Sequence, residues 1–482
     1  MSASDGGGAE TIQVVCRLRP LSKREAGSAS VLEVQDDART VALKGASVKD
    51  FTYDRVFGPD TAQSELFEAV GRPLTEACAA GFHGTVFAYG QTGSGKTHTI
   101  LGEGNGDEAR LLPRVLRHLF ATTAQRTGQV RKMKLVTAEK GSKVSYTTKC
   151  SFLEIYNERI IDLLDAASTN LALREDSDKG VYVDGLTEEE VACPEDALAL
   201  MKRGARNRHI GATAMNRHSS RSHSVFTLRI ECRETEASGL TKTRHARFNL
   251  IDLAGSERQK GTGAEGARLR EASNINKSLS ELGNVIQALA AVSSGRSVAH
   301  VPYRNSKLTF LLRDSLGGNS KTFLVATVSP AEEAFGETLS TLKFASRAKL
   351  VKNQAVVNED TAGSFALLQA EVRRLQAALA EARTAITSGG AAADGTAHAQ
   401  GACTPAALAV AAVAPSLAKM EALFQALAAS HRATSRAGAG DAGASPDHTS
   451  LPAGLALELL AKAHADATDT GLPPLGSLSA AA

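Results

Sequence analysis

Gly90-Gln91-Thr92-Gly93-Ser94-Gly95-Lys96-Thr97 fits the phosphate-binding pattern G-x-x-x-x-G-K-S/T. The stretch before it, Thr85-Val86-Phe87-Ala88-Tyr89, is apolar and β-rich, which places the pattern between a buried strand and a helix, as its chemistry requires. Glycines at 90, 93 and 95 let the backbone double back and aim N–H groups at phosphate oxygens, and the following helix adds its positive end. Lys96 then reaches the β- and γ-phosphates, while Thr97 offers its hydroxyl to Mg²⁺. The competing reading is a Gly-rich turn that matches by chance, and the strand in front weighs against it.

Two further stretches support this loop. Asn216-Arg217-His218-Ser219-Ser220-Arg221-Ser222-His223 packs hydroxyls, arginines and histidines directly before the strand Val225–Cys232. Alone it reads equally well as a Ser-rich turn. Arg247 to Glu257 then reads as an apolar strand ending in Asp252-Leu253-Ala254-Gly255, the D-x-x-G arrangement that holds a Mg²⁺ shell through water and senses a γ-phosphate with a glycine amide. Loop, Ser/Arg cluster and D-x-x-G in this order are far rarer by chance than any one of them. Near the N-terminus, Ile12 to Pro20 reads as a strand ended by proline, where Arg17 and Pro20 offer a cation and a flat ring to an adenine base.

GQTGSGKT, NRHSSRSH and DLAGSE resemble the phosphate loop and the two nucleotide switches of kinesin motor domains. The resemblance continues through Arg17-Leu18-Arg19-Pro20, SFLEIYNE at 151–158, and the stretches 265–286 and 300–322, and covers Thr11 to Asn358. It implies an α/β P-loop NTPase of the kinesin motor fold, with a central, mostly parallel β-sheet flanked by helices. It also implies a microtubule-stimulated ATPase that uses ATP and Mg²⁺ and has tubulin as partner, acting in the cytoplasm on the cytoskeleton. Phe310, where many kinesins carry arginine, and the continuation Val357-Asn358-Glu359-Asp360 resemble the class-twelve kinesins, a plus-end-directed group of spindles and phragmoplasts.

Carried over by position, Gly90, Gln91, Thr92, Gly93, Ser94, Gly95, Lys96 and Thr97 bind nucleotide together with Arg17, Arg19, Pro20 and Phe82, the last as a stacking face for adenine. Lys96, Ser219, Ser220, Arg221, Gly255 and Glu257 serve catalysis, with an Arg221–Glu257 bridge closing over the γ-phosphate, and Thr97, Ser219 and Asp252 hold the metal. Lys260, Arg304, Lys307 and Arg313 face tubulin. A nucleotide-gated microtubule binder that does not walk is the alternative function. A small-molecule phosphotransferase would have no use for the region 265–322.

The local patterns also predict helices near Thr61–Gly71, Leu74–Ala80, Leu111–Phe120, Arg159–Leu164 and Glu195–Arg206, one beginning near Ser273, and a basic loop or hairpin over 128–149. At 482 residues with 43% apolar content, the chain holds a large core, and a net charge of +3 gives no bias toward nucleic acid. Six scattered cysteines without a C-x-x-C pair argue against a zinc site and for a reducing compartment. The longest apolar run, Ala406 to Ala414, is too short to insert into a membrane.

The expected layout is a disordered 1–10, a motor domain over 11–352, a neck linker over 353–364, a short coiled coil over 365–386 and an Ala/Gly-rich disordered tail over 387–482. Phe365, Leu368, Val372, Leu375, Leu379, Ala382 and Ile386 form the seam of that coiled coil, and so short a seam predicts a weak homodimer.

Overall fold

The computed structural model describes residues 10–362, apart from residues 26, 102–105, 107–108, 128–142, 166, 177–179, 215–218, 236–239 and 258–266. The expected coiled coil, the tail, most of the N-terminal stretch and Lys260 lie outside the described residues. One sheet organises the rest. Its strands run in spatial order Thr169–Leu171, Arg159–Asp162, Lys143–Tyr156, His223–Thr235, Thr241–Asp252, Gly84–Tyr89, Lys321–Val328, Gln13–Leu18 and Arg55–Phe57.

The sheet is mixed, which corrects the expectation of a mostly parallel one. From Thr169–Leu171 to Thr241–Asp252 every neighbour is antiparallel, and from there to Arg55–Phe57 every neighbour is parallel. Short connections allow the antiparallel half, whereas the parallel half needs helical crossovers. Gly84–Tyr89 lies between two parallel partners and all six of its residues are buried, which explains its unbroken apolar run.

Alternation along Gln13–Leu18 shows how the sheet divides the core. Val14, Cys16 and Leu18 face one apolar cluster with Leu282, Val285 and Ile286, while Val15 faces the other with Phe57, Leu74 and Leu116. Helices cover both faces, among them Arg72–Ala79, Leu111–Arg126, Pro194–Ala214, Ala267–Ser293 and Phe335–Ala348. Three of these outrun their sequence expectations: the second passes Phe120, the third passes Arg206 and the fourth starts before Ser273.

The predicted helix at Arg159–Leu164 is wrong. Residues Arg159–Asp162 are a strand that pairs back on Lys143–Tyr156 with Tyr156 opposite Arg159. The two turn residues, Asn157 and Glu158, have φ of 52° and 58°, the left-handed pair that a two-residue hairpin needs. The described part of the basic stretch, 143–149, is not a loop but the outer half of Lys143–Tyr156, paired with His223–Thr235.

At the end of the described chain, Lys352–Asn353 pairs with Glu10–Thr11, and Glu359–Ala362 pairs with the outer half of Thr241–Asp252. Asn358 fastens the segment between them. Its backbone N–H and its amide both donate to the Gly81 carbonyl at 2.9 Å, and its carbonyl accepts from His245 N–H at 2.9 Å. Among the described residues no helix is long and apolar enough to cross a membrane, and no cluster of His, Cys, Asp or Glu could hold a metal ion by itself.

Candidate active site

Register brings the sequence motifs together. Asp252 stands opposite Ala88 on the neighbouring parallel strand, and Tyr89 stands opposite Ala326, so the D-x-x-G segment and the phosphate loop leave the same end of the sheet. This carboxyl end of adjacent parallel strands is where open α/β sheets place ligands.

Within the loop, Gly90, Gly93 and Gly95 have φ of 155°, 77° and 103°. A Cβ at Gly90 would collide with the Thr327 carbonyl, so only glycine fits that turn. The Lys96 ammonium is buried and donates to the carbonyls of Gly90 at 2.7 Å and Gln91 at 2.9 Å. Burial pulls its pKa down, against the upward pull of Asp252 and Glu257. Ser94 points its hydroxyl into the fold at Thr327 Oγ1, 2.7 Å away.

Thr97 donates its hydroxyl to Asp252 Oδ2 at 2.5 Å. The other oxygen, Asp252 Oδ1, is buried and has no hydrogen-bond partner, and burial raises the pKa of the carboxyl. A buried carboxylate oxygen without a partner beside a threonine hydroxyl fits a hydrated divalent cation, which would stabilise the charged form. Of the Ser/Arg cluster, Ser219–Arg221 forms a short helical turn whose Ser220 carbonyl accepts the Gly255 N–H at 2.8 Å. Ser256 N–H donates to the Gly90 carbonyl at 3.1 Å, and Glu257 accepts from Thr92 N–H at 2.7 Å and from the Thr92 hydroxyl. The D-x-x-G segment therefore touches both the loop and the Ser/Arg turn directly. Residues 17–351 match the kinesin motor domain model.

The chain belongs to the kinesin motor domain family. Kinesin-like protein KIF15 of Strongylocentrotus purpuratus is 50% identical over 389 residues, covering 78% of this chain and 26% of that protein. Kinesin-like protein KIN-12E of Arabidopsis thaliana is 50% identical over 374 residues, covering 76% of this chain and 29% of that one. The chain thus spans less than a third of the length of these curated relatives. A solved structure of a fast kinesin superposes with a TM-score of 0.64 at 40% identity, covering 73% of this chain and 94% of its own. A KIF14 dimer, solved with AMP-PNP in complex with a microtubule, gives 0.64 at 39% identity, covering 73% and 97%. The KIN-12 relatives agree with the class-twelve likeness of Phe310 and Val357 to Asp360.

Two expected placements in this kinesin domain differ. Phe82 is not beside the phosphate loop. It precedes Gly84, at the far end of the loop's own strand, where its ring lies 4.9 Å from the Lys321 ammonium and its backbone bridges to Val357. Arg17 turns inward and donates to Thr99 Oγ1 at 2.9 Å and Gln63 Oε1 at 3.2 Å, and burial with Arg110 nearby lowers its pKa to about 10. It braces the helix Lys96–Ile100 from beneath. The Glu257 carboxylate, expected to meet Arg221 only in the closed state, accepts here from Thr92.

Arg19 does reach the loop, donating from Nε to the Gly93 carbonyl at 2.8 Å, and it pairs with Glu25, whose carboxyl it holds down at about 2. The exposed Pro20 follows it. Sequence reasoning missed His98, an exposed ring on the first turn after Lys96, fixed by Gln63 at 3.0 Å. The signal was the aromatic ring directly behind the GKT triplet. It also missed the pair of buried Glu154 and half-buried Arg208, 3.0 Å apart, which joins the helix before the Ser/Arg cluster to Ser222 within it. Away from the loop, Arg304 and Arg313 both pair with Glu175, and Arg304 lies 5.0 Å from the Phe310 ring centre. Lys307 sits between them, with its backbone N–H on Glu158 at 2.8 Å.

Proposed function

We propose that this chain hydrolyses ATP to ADP and phosphate, is stimulated by microtubules, and converts the cycle into movement toward the microtubule plus end. The observation that carries the reading is the meeting of Lys96, Thr97, Asp252, Gly255 and Glu257 at one end of the sheet in a chain of the kinesin family. The solved KIF14 relative, with AMP-PNP on a microtubule, supports ATP as ligand and tubulin as partner.

Lys96 exchanges the Gly90 and Gln91 carbonyls for the β- and γ-phosphates, and Arg19 and Pro20 with His98 receive the base. Thr97 and Asp252, with Ser219, hold Mg²⁺, which when bound neutralises charge on the phosphate oxygens. The Gly255 N–H leaves the Ser220 carbonyl for the γ-phosphate, and Glu257 leaves Thr92 for Arg221. Ser219, Ser220 and Arg221 thereby close over the attacking water. No strong base is required, since phosphoryl transfer is accelerated chiefly by positioning and charge stabilisation.

Lys260, Arg304, Lys307 and Arg313 supply cations to the acidic tubulin surface. The segment 353–364 acts as a neck linker docking on the motor over 11–352, the seam over 365–386 gives a weak homodimer, and the site of action is cytoplasmic microtubules, including those of the spindle. Surface-bound protein with polarity-marked microtubules tests this. Filaments gliding with minus ends leading in ATP are the expected result, and filaments that bind without moving would favour the nucleotide-gated binder.

A further inference from the structure

His223 opens the strand His223–Thr235 directly after the Ser/Arg turn, and it is 2% exposed. Its two ring nitrogens meet two different elements. Ala254, the residue before Gly255, donates its N–H to Nδ1 at 3.0 Å. Nδ1 is therefore the unprotonated nitrogen, and the ring proton sits on Nε2, 2.8 Å from the Ser278 hydroxyl on the helix Ala267–Ser293. A second proton would set N–H against N–H at Ala254. Burial, with Arg208 and Lys96 as neighbouring cations, lowers the pKa to about 3 and keeps the ring neutral.

The contacts continue past Ser278. Glu281, less than one turn further along the same helix, accepts from the Asn305 amide at 3.0 Å, and Asn305 stands between Arg304 and Lys307. Hydrogen bonds thus join the segment before Gly255 to Ser278, and the same helix, through Glu281, holds the loop that carries two of the cations assigned to tubulin. Nothing in phosphate binding or hydrolysis uses the His223 ring, yet a buried polar side chain with both nitrogens committed fixes the spacing of the elements it joins.

We propose that His223 is a positioning residue that couples the D-x-x-G segment to the helix Ala267–Ser293. When Gly255 moves toward phosphate, Ala254 moves with it, and the imidazole transmits the displacement to Ser278. The proposal rests on the reading of the chain as a nucleotide-gated microtubule motor.

The test compares the full chain with Ser278→Ala, Ser278→Thr and His223→Asn, reading labelled-nucleotide affinity, ATPase with and without microtubules, and microtubule affinity in AMP-PNP against ADP. Ser278→Ala cuts the link at the helix and touches no nucleotide. His223→Asn keeps an acceptor at the Nδ1 position for Ala254 but is too short to reach Ser278. In both, the ratio of microtubule affinities between AMP-PNP and ADP should fall about tenfold, a typical allosteric coupling. Ser278→Ala should hold nucleotide affinity and microtubule-free ATPase within about twofold, because the group removed lies on the helix side of His223 and leaves the Ala254–Nδ1 bond in place. Ser278→Thr, which keeps the hydroxyl, should restore the ratio.

An unchanged ratio in both cutting variants would overturn the coupling, as would an equal fall of ATPase with and without microtubules in Ser278→Ala. If the unaltered chain binds microtubules equally in both nucleotides, the motor reading fails as well. That outcome is visible before any variant is compared.

Discussion

Glu257 accepts two hydrogen bonds from Thr92, one from the backbone N–H at 2.7 Å and one from the hydroxyl. The carboxylate proposed for the closing bridge with Arg221 is thus held by the phosphate loop, and the proposed closure exchanges Thr92 for Arg221. Because the Arg221 contact belongs to the closed arrangement, Glu257→Ala should remove stabilisation of the barrier and leave ground-state binding. We expect labelled ATP to bind within a few-fold of the unaltered affinity while kcat falls by at least about a hundredfold, the order seen when a charge-positioning group is lost. An unchanged kcat in the presence of microtubules would refute the assignment.

Lys96 is already buried and held by two carbonyls, so the alanine variant loses a preplaced cation. Hydrogen bonds to charged groups contribute about 1.5–3 kcal/mol each, so Lys96→Ala should weaken ATP binding by at least about a hundredfold. The chain has no tryptophan, and a labelled nucleotide is the reporter. Equal affinities in a titration would contradict the placement.

His223 also makes stability depend on pH, with a fixed sign. Its folded pKa of about 3 lies below the ordinary value of 6.5, so the unfolded chain binds the proton first. The contribution is whole above about pH 6.5 and is lost as pH falls toward 3, at about 1.4 kcal/mol per unit. Denaturant midpoints between about pH 6 and about pH 5 should therefore fall more steeply for the unaltered chain than for His223→Asn, by about one proton. Parallel slopes would show that the ring titrates normally.

Asn358 ties the last described segment to Gly81 and accepts from the Asn319 amide at 2.8 Å. Asn358→Ala should loosen that docking without touching the nucleotide, so gliding velocity should drop several-fold while ATPase stays within about twofold. Velocity and ATPase falling in step would mean that the segment does not carry the movement.

The parts of the candidate site were legible in the sequence as linear motifs, whose residue types follow from phosphate and metal chemistry. What joins them was not. The register of Asp252 with Ala88, which brings the carboxylate to Thr97, is set by long-range pairing. Phe82 was misplaced because distance along the chain says nothing about which end of a strand a residue occupies. The six-residue strand between it and the loop spans about 20 Å. The apolar pairs after Arg159 have helical spacing, and only the left-handed φ values at Asn157 and Glu158 turn them into a hairpin strand. Arg17 shares its strand face with Arg19 but lies nearer the core, and burial against Thr99 took it from the base. Arg208 meets Glu154 and His223 meets Ser278 across long sequence separations that no local pattern records.

The site formed by Lys96, Thr97, Asp252, Gly255 and Glu257 is proposed to turn over ATP under the control of a microtubule. Steady-state ATPase with and without polymerised tubulin tests it directly. A saturable rise in kcat of at least about tenfold, equivalent to roughly 1.4 kcal/mol off the barrier, is the expected result, with unpolymerised tubulin giving much less. The same rate with and without microtubules would contradict it.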